Sequence, residues 1–239
     1  MTESRAEGQA TAGSQTLSRG LQALELLADA ESPISISEFA ERLGVHRSNA
    51  YRILRTLEQH RFVIRDSAGL IRLGPKVTAL ARGVAPALHT AAMPAVTELA
   101  YTVGMTAFLT VLDANEVVTL MTVEPTNVEA TIARDPGVSH TVDRGAPGRA
   151  IESSLSAIER ETLLGSPEFS EAVLNTKQQG YAVSRHEVVN GVSSVAVPIR
   201  IPGEPPAAIA IVHFNLPDPL DEVVAKLKNA AERIAQNYR

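Results

Sequence analysis

Four side chains at the start of one predicted helix, Arg47, Ser48, Asn49 and Arg52, are of the types that read base pairs. Arginine donates bidentately to guanine and asparagine pairs with adenine, and a helix about 12 Å across fits the major groove where those edges lie. Arg55, Arg61, Arg65 and Arg72 lie on the same segment and are placed for phosphate, which supplies affinity without sequence information. Tyr51 either touches the nucleic-acid backbone or packs on the preceding helix, and His46 suits a helix start better than a ligand role. From Arg47 to Arg65 five arginines stand against one acid, Glu58. Taken alone, an arginine-rich helix is as readily a solvated face, so the chemistry depends on what positions it.

The positioning elements occur in the required order. Ser18 offers a first N-cap, and Leu21, Leu24, Leu27 and Ala28 line one face of a helix ending near Asp29. Ser35 with Glu38 three residues on forms a capping box for a second helix that buries Phe39, Ala40 and Leu43. Gly44 allows a turn, and a third helix runs from about Arg47 to His60 with Ala50, Ile53, Leu54 and Leu57 inward. Arg47, Ser48, Asn49, Tyr51, Arg52 and Arg55 are left on or beside its outer face. Val63 to Arg65 and Leu70 to Leu73 read as strands joined by the turn residues Asp66 to Gly69. Helix, turn, helix and charged hairpin make a winged helix-turn-helix, whose expected partner is double-stranded DNA.

Composition agrees once it is divided along the chain. The net charge of −5 argues against DNA, yet Leu17 to Leu73 carries eight basic and seven acidic residues while Gly74 to Arg239 carries thirteen and eighteen. With 239 residues and 44% hydrophobic content, two modest cores fit better than one. The lack of cysteine excludes disulfides, thiolate zinc sites and a cysteine nucleophile. The first 16 residues are small and polar, which predicts a disordered arm rather than a signal peptide. No apolar run reaches the roughly 20 residues that span a bilayer, so a cytoplasmic location without membrane contact is expected.

Beyond the hairpin, Pro75 opens a helix through Val77, Leu80, Ala81 and Val84, which Pro86 should kink or end, and a further helix spans about Pro94 to Val103. The apolar stripe of this connector predicts contact with a second subunit. Strands are expected at Ala107–Leu112, Val117–Val123, Ala130–Ala133, around Ala182, at Val192–Ile199 and at Ala207–Phe214. Helices are expected from about Pro147 to Ser154, from Ile158, near Phe169 to Gln179, and from Asp218 to about Gln236. Antiparallel hairpins flanked by helices give an α+β class, with helices on one face of a sheet and room for a ligand on the other. Gly145 and Gly148 flank a helix start whose amides either hold a carboxylate or merely allow a turn. Ser193 and Ser194 either donate to a ligand or close a hairpin, and Arg185 either pairs a carboxylate or faces water. No nucleophile with its base, metal cluster, Walker motif or dinucleotide fingerprint is present, so neither an enzyme nor a cofactor is expected.

Thr16 to Leu73, followed by Gly74-Pro75, resembles the DNA-binding half of the IclR family of bacterial transcription regulators. Leu112-Asp113, Gly145 to Ala150, Gly180-Tyr181-Ala182, Gly191 to Ile199 and Ala207 to Ile211 resemble its second half, and together these segments cover about 220 residues. The resemblance implies a disordered arm at 1–16, a winged helix-turn-helix at 17–74, a helical linker at 75–92 and a GAF-like effector-binding and oligomerisation domain at 93–239. It implies a homodimer or tetramer on a palindromic operator, controlled by a small organic acid. The pocket would be walled by Gly145, Ala146, Pro147, Gly148, Ser184, Arg185, Ser193, Ser194, Ala210 and Val212. The family commonly has an acid at the place of Ser184 and hydroxyl residues at those of Ala210 and Val212. That departure implies an acid with an apolar or aromatic body rather than a small keto acid, its carboxylate on amides near Gly145 to Arg149 and on Ser193 or Ser194. The alternative is a DNA-binding regulator or architectural protein whose second domain only dimerises.

Overall fold

The computed structural model describes residues 14–128 and 130–238, and the described chain divides between Val84 and Ala85 into two units. In the first, α1 (Gln15–Ala28) is capped by Ser14, whose side chain accepts the Leu17 N–H. The helix begins a turn before the expected Ser18 cap because nothing in Gln15 to Leu17 opposes it. Residues 14–16 of the expected arm are therefore the cap and first turn, and 1–13 lie outside the described residues. The buried stripe is Ala23 and Leu27, leaving Leu17 and Leu21 exposed, contrary to the expected Leu21 face.

In α2 (Ile36–Arg42), Ser35 Oγ accepts the Glu38 N–H at 3.2 Å. The return half of the capping box is replaced by a Glu38–Arg42 ion pair at 2.5 Å one turn along the helix. Gly44 turns the chain at φ +65°, a region closed to most residues with a Cβ, into α3 (Arg47–Gln59). Strands β1 (Val63–Arg65) and β2 (Ile71–Leu73) pair antiparallel, Val63 opposite Leu73. Asp66 Oδ1 fixes their turn by accepting the N–H groups of Ala68 and Leu70, each at 2.9 Å. Ile34 bridges to Ile71, and Ala23, Leu27, Phe39, Ala50, Leu54 and Val63 complete the core. A short α4 (Lys76–Ala81) ends this unit and buries nothing.

The second unit opens on α5 (Pro86–Val103), one helix where a linker to residue 92 and a separate helix from Pro94 were expected. Pro86 occupies the first helical position, where a missing N–H costs nothing. Pro94 removes an interior bond at about 3 kcal/mol. Burial of Leu88, Val96 and Leu99 on the same face contributes about 1.5–3 kcal/mol each and outweighs it. β3 (Thr106–Asp113), β4 (Glu116–Val123) and β5 (Ser139–Thr141) follow, then α6 (Gly145–Ser153), α7 (Ala157–Leu164) and α8 (Glu171–Gln179). The chain closes with β6 (Ala182–Arg185), β7 (Ser193–Ile199), β8 (Ala207–His213) and α9 (Asp221–Asn237). The expected strand at Ala130–Ala133 is irregular; its Ile132 carbonyl accepts the Thr106 hydroxyl, and β5 takes the sheet edge instead.

Six antiparallel strands lie in the order β5-β4-β3-β8-β7-β6. Side chains alternate across the sheet, so Leu109, Val195, Val197, Ile209 and Ile211 meet α5 and α9. Phe108, Ala196, Ala208, Ala210 and Val212 meet Ala146, Ala150 and Ile151 of α6 on the other face. Helices thus cover both faces, correcting the one-sided expectation, because every sheet residue of β7 and β8 up to Val212 is apolar or small on both sides.

Candidate functional site

The first unit presents α3. Arg47, Ser48, Tyr51, Arg52 and Arg55 are exposed and Asn49 is half-buried beside Ala50. Spacings of four and three put Ser48, Arg52 and Arg55 on one face. His46 is the N-cap, its Nδ1 accepting the Ser48 N–H and lying 3.0 Å from Ser48 Oγ. Arg47 lies 5.9 Å from the Tyr51 ring centroid, so Tyr51 packs along its own helix. Arg65 is not a free cation, since its Nε donates to Glu58 Oε1 at 3.0 Å. Among the described residues no carboxylate pairs with Arg47, Arg52, Arg55, Arg61 or Arg72.

The second unit holds a cavity of about 60 Å³ against the α6 face of the sheet, lined by Phe108, Ile132, Arg134, His140, Gly145, Pro147, Ser184, Val188, Val189, Ser194 and Val212 among others. Six of the ten pocket residues expected from sequence are brought together here or at its rim: Gly145, Pro147, Ser184, Ser194 and Val212 line it, and Ala146 packs behind. The rest are placed elsewhere. Arg185 pairs with Ser193 in register, one residue out of step with the Ser184–Ser194 pair, so both point to the opposite face. Ala210 is fully buried under α6, and Gly148 packs on the preceding turn, where a Cβ would fall 1.9 Å from the Val142 carbonyl oxygen. Ser194 spends its proton on the Ile211 carbonyl at 2.7 Å, leaving it only as an acceptor.

The expected carboxylate site at the start of α6 already holds a carboxylate of the chain itself. Glu187 Oε2 accepts the Gly145 N–H at 3.2 Å, both Glu187 oxygens pair with Arg149, and Arg144 donates to the Glu187 carbonyl. Arg134, unmarked in the sequence, enters the cavity instead. Its Nε donates to Thr119 Oγ1 at 2.9 Å and its guanidinium lies 4.5 Å from the Phe108 ring centroid. Burial pushes the Arg134 pKa down, as it does that of His140, whose ring Nδ1–H donates to the Thr141 carbonyl at 3.0 Å. Strand parity could have separated Ser184 and Ser194 from Arg185 and Ser193. Arg134 had no such signal, because Thr119 and Phe108 lie 15 and 26 positions away.

A helix-turn-helix unit with unpaired arginines, followed in the same chain by a sheet unit enclosing a side cavity, defines a DNA-binding regulator with an effector domain. The chain belongs to the IclR family of bacterial transcription regulators: residues 16–67 match the IclR helix-turn-helix domain and 85–236 the bacterial transcriptional regulator IclR C-terminal domain. Its role is regulatory rather than enzymatic, and among the described residues no cluster could hold a metal ion and no helix is long and apolar enough to cross a membrane. It is 28% identical to the glycerol operon regulatory protein of Streptomyces coelicolor over 78% of this chain and 79% of that one. It is 26% identical to the transcriptional regulator XynR of Escherichia coli over 77% and 80%. In fold it resembles an IclR homologue of Microbacterium hydrocarbonoxydans complexed with 4-hydroxybenzoate, at TM-score 0.80 and 23% identity over 94% of this chain and 99% of that one.

Proposed function

We propose that the protein is a dimeric repressor or activator that binds a palindromic operator through α3 and changes that binding when a small organic acid enters the cavity of its GAF-like second unit. Arg47, Ser48, Asn49 and Arg52 read base edges, and Arg55, Arg61, Arg65 and Arg72 meet phosphates. The observation that carries the reading is the cavity itself, a walled space that a mere dimerisation module does not need. Phe108, Ile132, Val188, Val189, Val192 and Val212 make its walls apolar, which favours an acid with a carbon body. The likeness to a fold that holds 4-hydroxybenzoate supports the same class. At about 60 Å³ the space is well below the roughly 150 Å³ that holds benzene, so an aromatic body requires the 186–192 loop to yield.

A thermal-shift screen of carboxylates graded in size, followed by operator anisotropy, tests this. Acids with three or more carbons beyond the carboxylate raise Tm by mass action and change operator affinity. Stabilisation by none of them, with operator binding intact, would return the second unit to a dimerisation role.

A further inference from the structure

We infer that Arg134 is the anion anchor of this cavity, so that the ligand is recognised as a carboxylate at the Phe108 end and not at the start of α6; the inference rests on the effector-binding reading above. Three observations carry it. The Gly145 amide expected to receive the carboxylate is occupied by Glu187, as is the Arg149 guanidinium beside it. A ligand would have to displace a bidentate internal partner there and gain nothing net in charge pairing.

Arg134, by contrast, is held and unspent. Thr119 fixes its Nε and Phe108 lies beneath its plane, while Nη2 is buried with no hydrogen-bond partner among the described residues. A buried guanidinium with an idle N–H is costly, and an incoming carboxylate removes that cost where water at a protein surface would gain far less. Of the residues lining the cavity Arg134 alone carries a permanent charge, because burial favours neutral His140. The second buried polar atom without a partner among the described residues is Thr122 Oγ1. Thr122 lies directly opposite Phe108 in the β3–β4 register, and so on the same sheet face. Thr122 shares that sheet face but does not line the cavity, so Arg134 Nη2 is the idle donor the cavity presents, at its Phe108 end, with the apolar body directed toward Val188, Val189 and Val212. The class this selects is a monocarboxylic acid with an unbranched aliphatic or a planar aromatic body.

Calorimetry with matched acid and amide pairs, butyrate with butyramide and benzoate with benzamide, tests the assignment on the full chain. The unaltered protein should bind at least one acid tenfold or more tighter than its amide. In Arg134→Gln that ratio should fall to about one, chiefly through loss of acid affinity. Arg134→Lys keeps a charge without the planar fork and should lower the ratio at least threefold, which decides the matter if the glutamine variant does not fold. Equal binding of acid and amide by the unaltered protein, or an unchanged ratio in either variant, overturns the inference while leaving effector binding in place. Failure of every acid and amide to bind the unaltered protein removes the effector reading and this inference together.

Discussion

Changing Arg52 to alanine and, separately, Arg65 to alanine should damage DNA binding in two distinguishable ways. Arg52 is exposed on α3 one turn beyond Ser48 and has no acidic partner among the described residues, so its five donors are all available to a base edge. Loss of a bidentate arginine–guanine contact costs about 1–3 kcal/mol, or about 5- to 160-fold in operator affinity, and relaxes discrimination at one position of each half-site. Random DNA should lose far less. Arg65 behaves differently because Nε is already committed to Glu58 at 3.0 Å. Its two Nη groups remain for phosphate, and removing them lowers the salt slope by up to about 0.9. Between 50 and 200 mM salt that slope amounts to about a 3.5-fold shrinking of the deficit, on operator and random DNA alike. The alanine also leaves the Glu58 carboxylate unpaired beside the DNA, so adding Glu58→Gln should restore part of the affinity. Fluorescence anisotropy on a fragment selected from a random pool, at four salt concentrations, measures both quantities. Equal losses on operator and random DNA for Arg52→Ala would refute base reading by that residue.

Gly148→Ala should destabilise the second unit by about 3 kcal/mol, lowering Tm by about 6–12 °C, because the added methyl meets the Val142 backbone, which cannot move aside as a side chain would. Arg160→Leu should cost about 3–5 kcal/mol in denaturant unfolding, since Glu152 is 3% exposed and pairs with Arg160 at 2.8 Å; a loss below 1 kcal/mol would show that the pair is not needed. His140 has its pKa depressed, first by burial, opposed by the Thr141 carbonyl and Asp143 and reinforced by Arg134 and Arg144. The unfolded chain therefore binds more protons, so the stability linked to this ring is present above about pH 6.5 and is lost as pH falls through the lower folded value. Melts from pH 7.5 to 5 should be flatter for His140→Gln than for the unaltered protein.

Local signals were the legible ones. Ser35, Gly44 and the Ala50–Leu54 stripe place α2 and α3 because capping, positive φ and helical period each act within a few residues. Five of the six sheet strands were also readable, as short apolar runs; β5 was not, and the expected strand at Ala130–Ala133 is irregular, its Ile132 carbonyl taken by Thr106 across the fold. Pro94 misled for the opposite reason: a local breaker was overridden by a buried helix face that only the assembled unit supplies. The pocket was legible as a region and not in its chemistry. Glu187 reaches Gly145 over 42 positions and Arg134 is set by Thr119 and Phe108, so the exchange of one anion site for another depends on long-range contacts.

In the function proposed above, occupancy of the second unit's cavity governs DNA reading by the first. Anisotropy of labelled operator, titrated with an acid first shown by calorimetry to bind, measures this most directly. Operator affinity should change at least fivefold in the full chain at saturating acid, a coupling of about 1 kcal/mol or more, with random DNA unaffected. An operator affinity that stays constant while the cavity is demonstrably filled would contradict it.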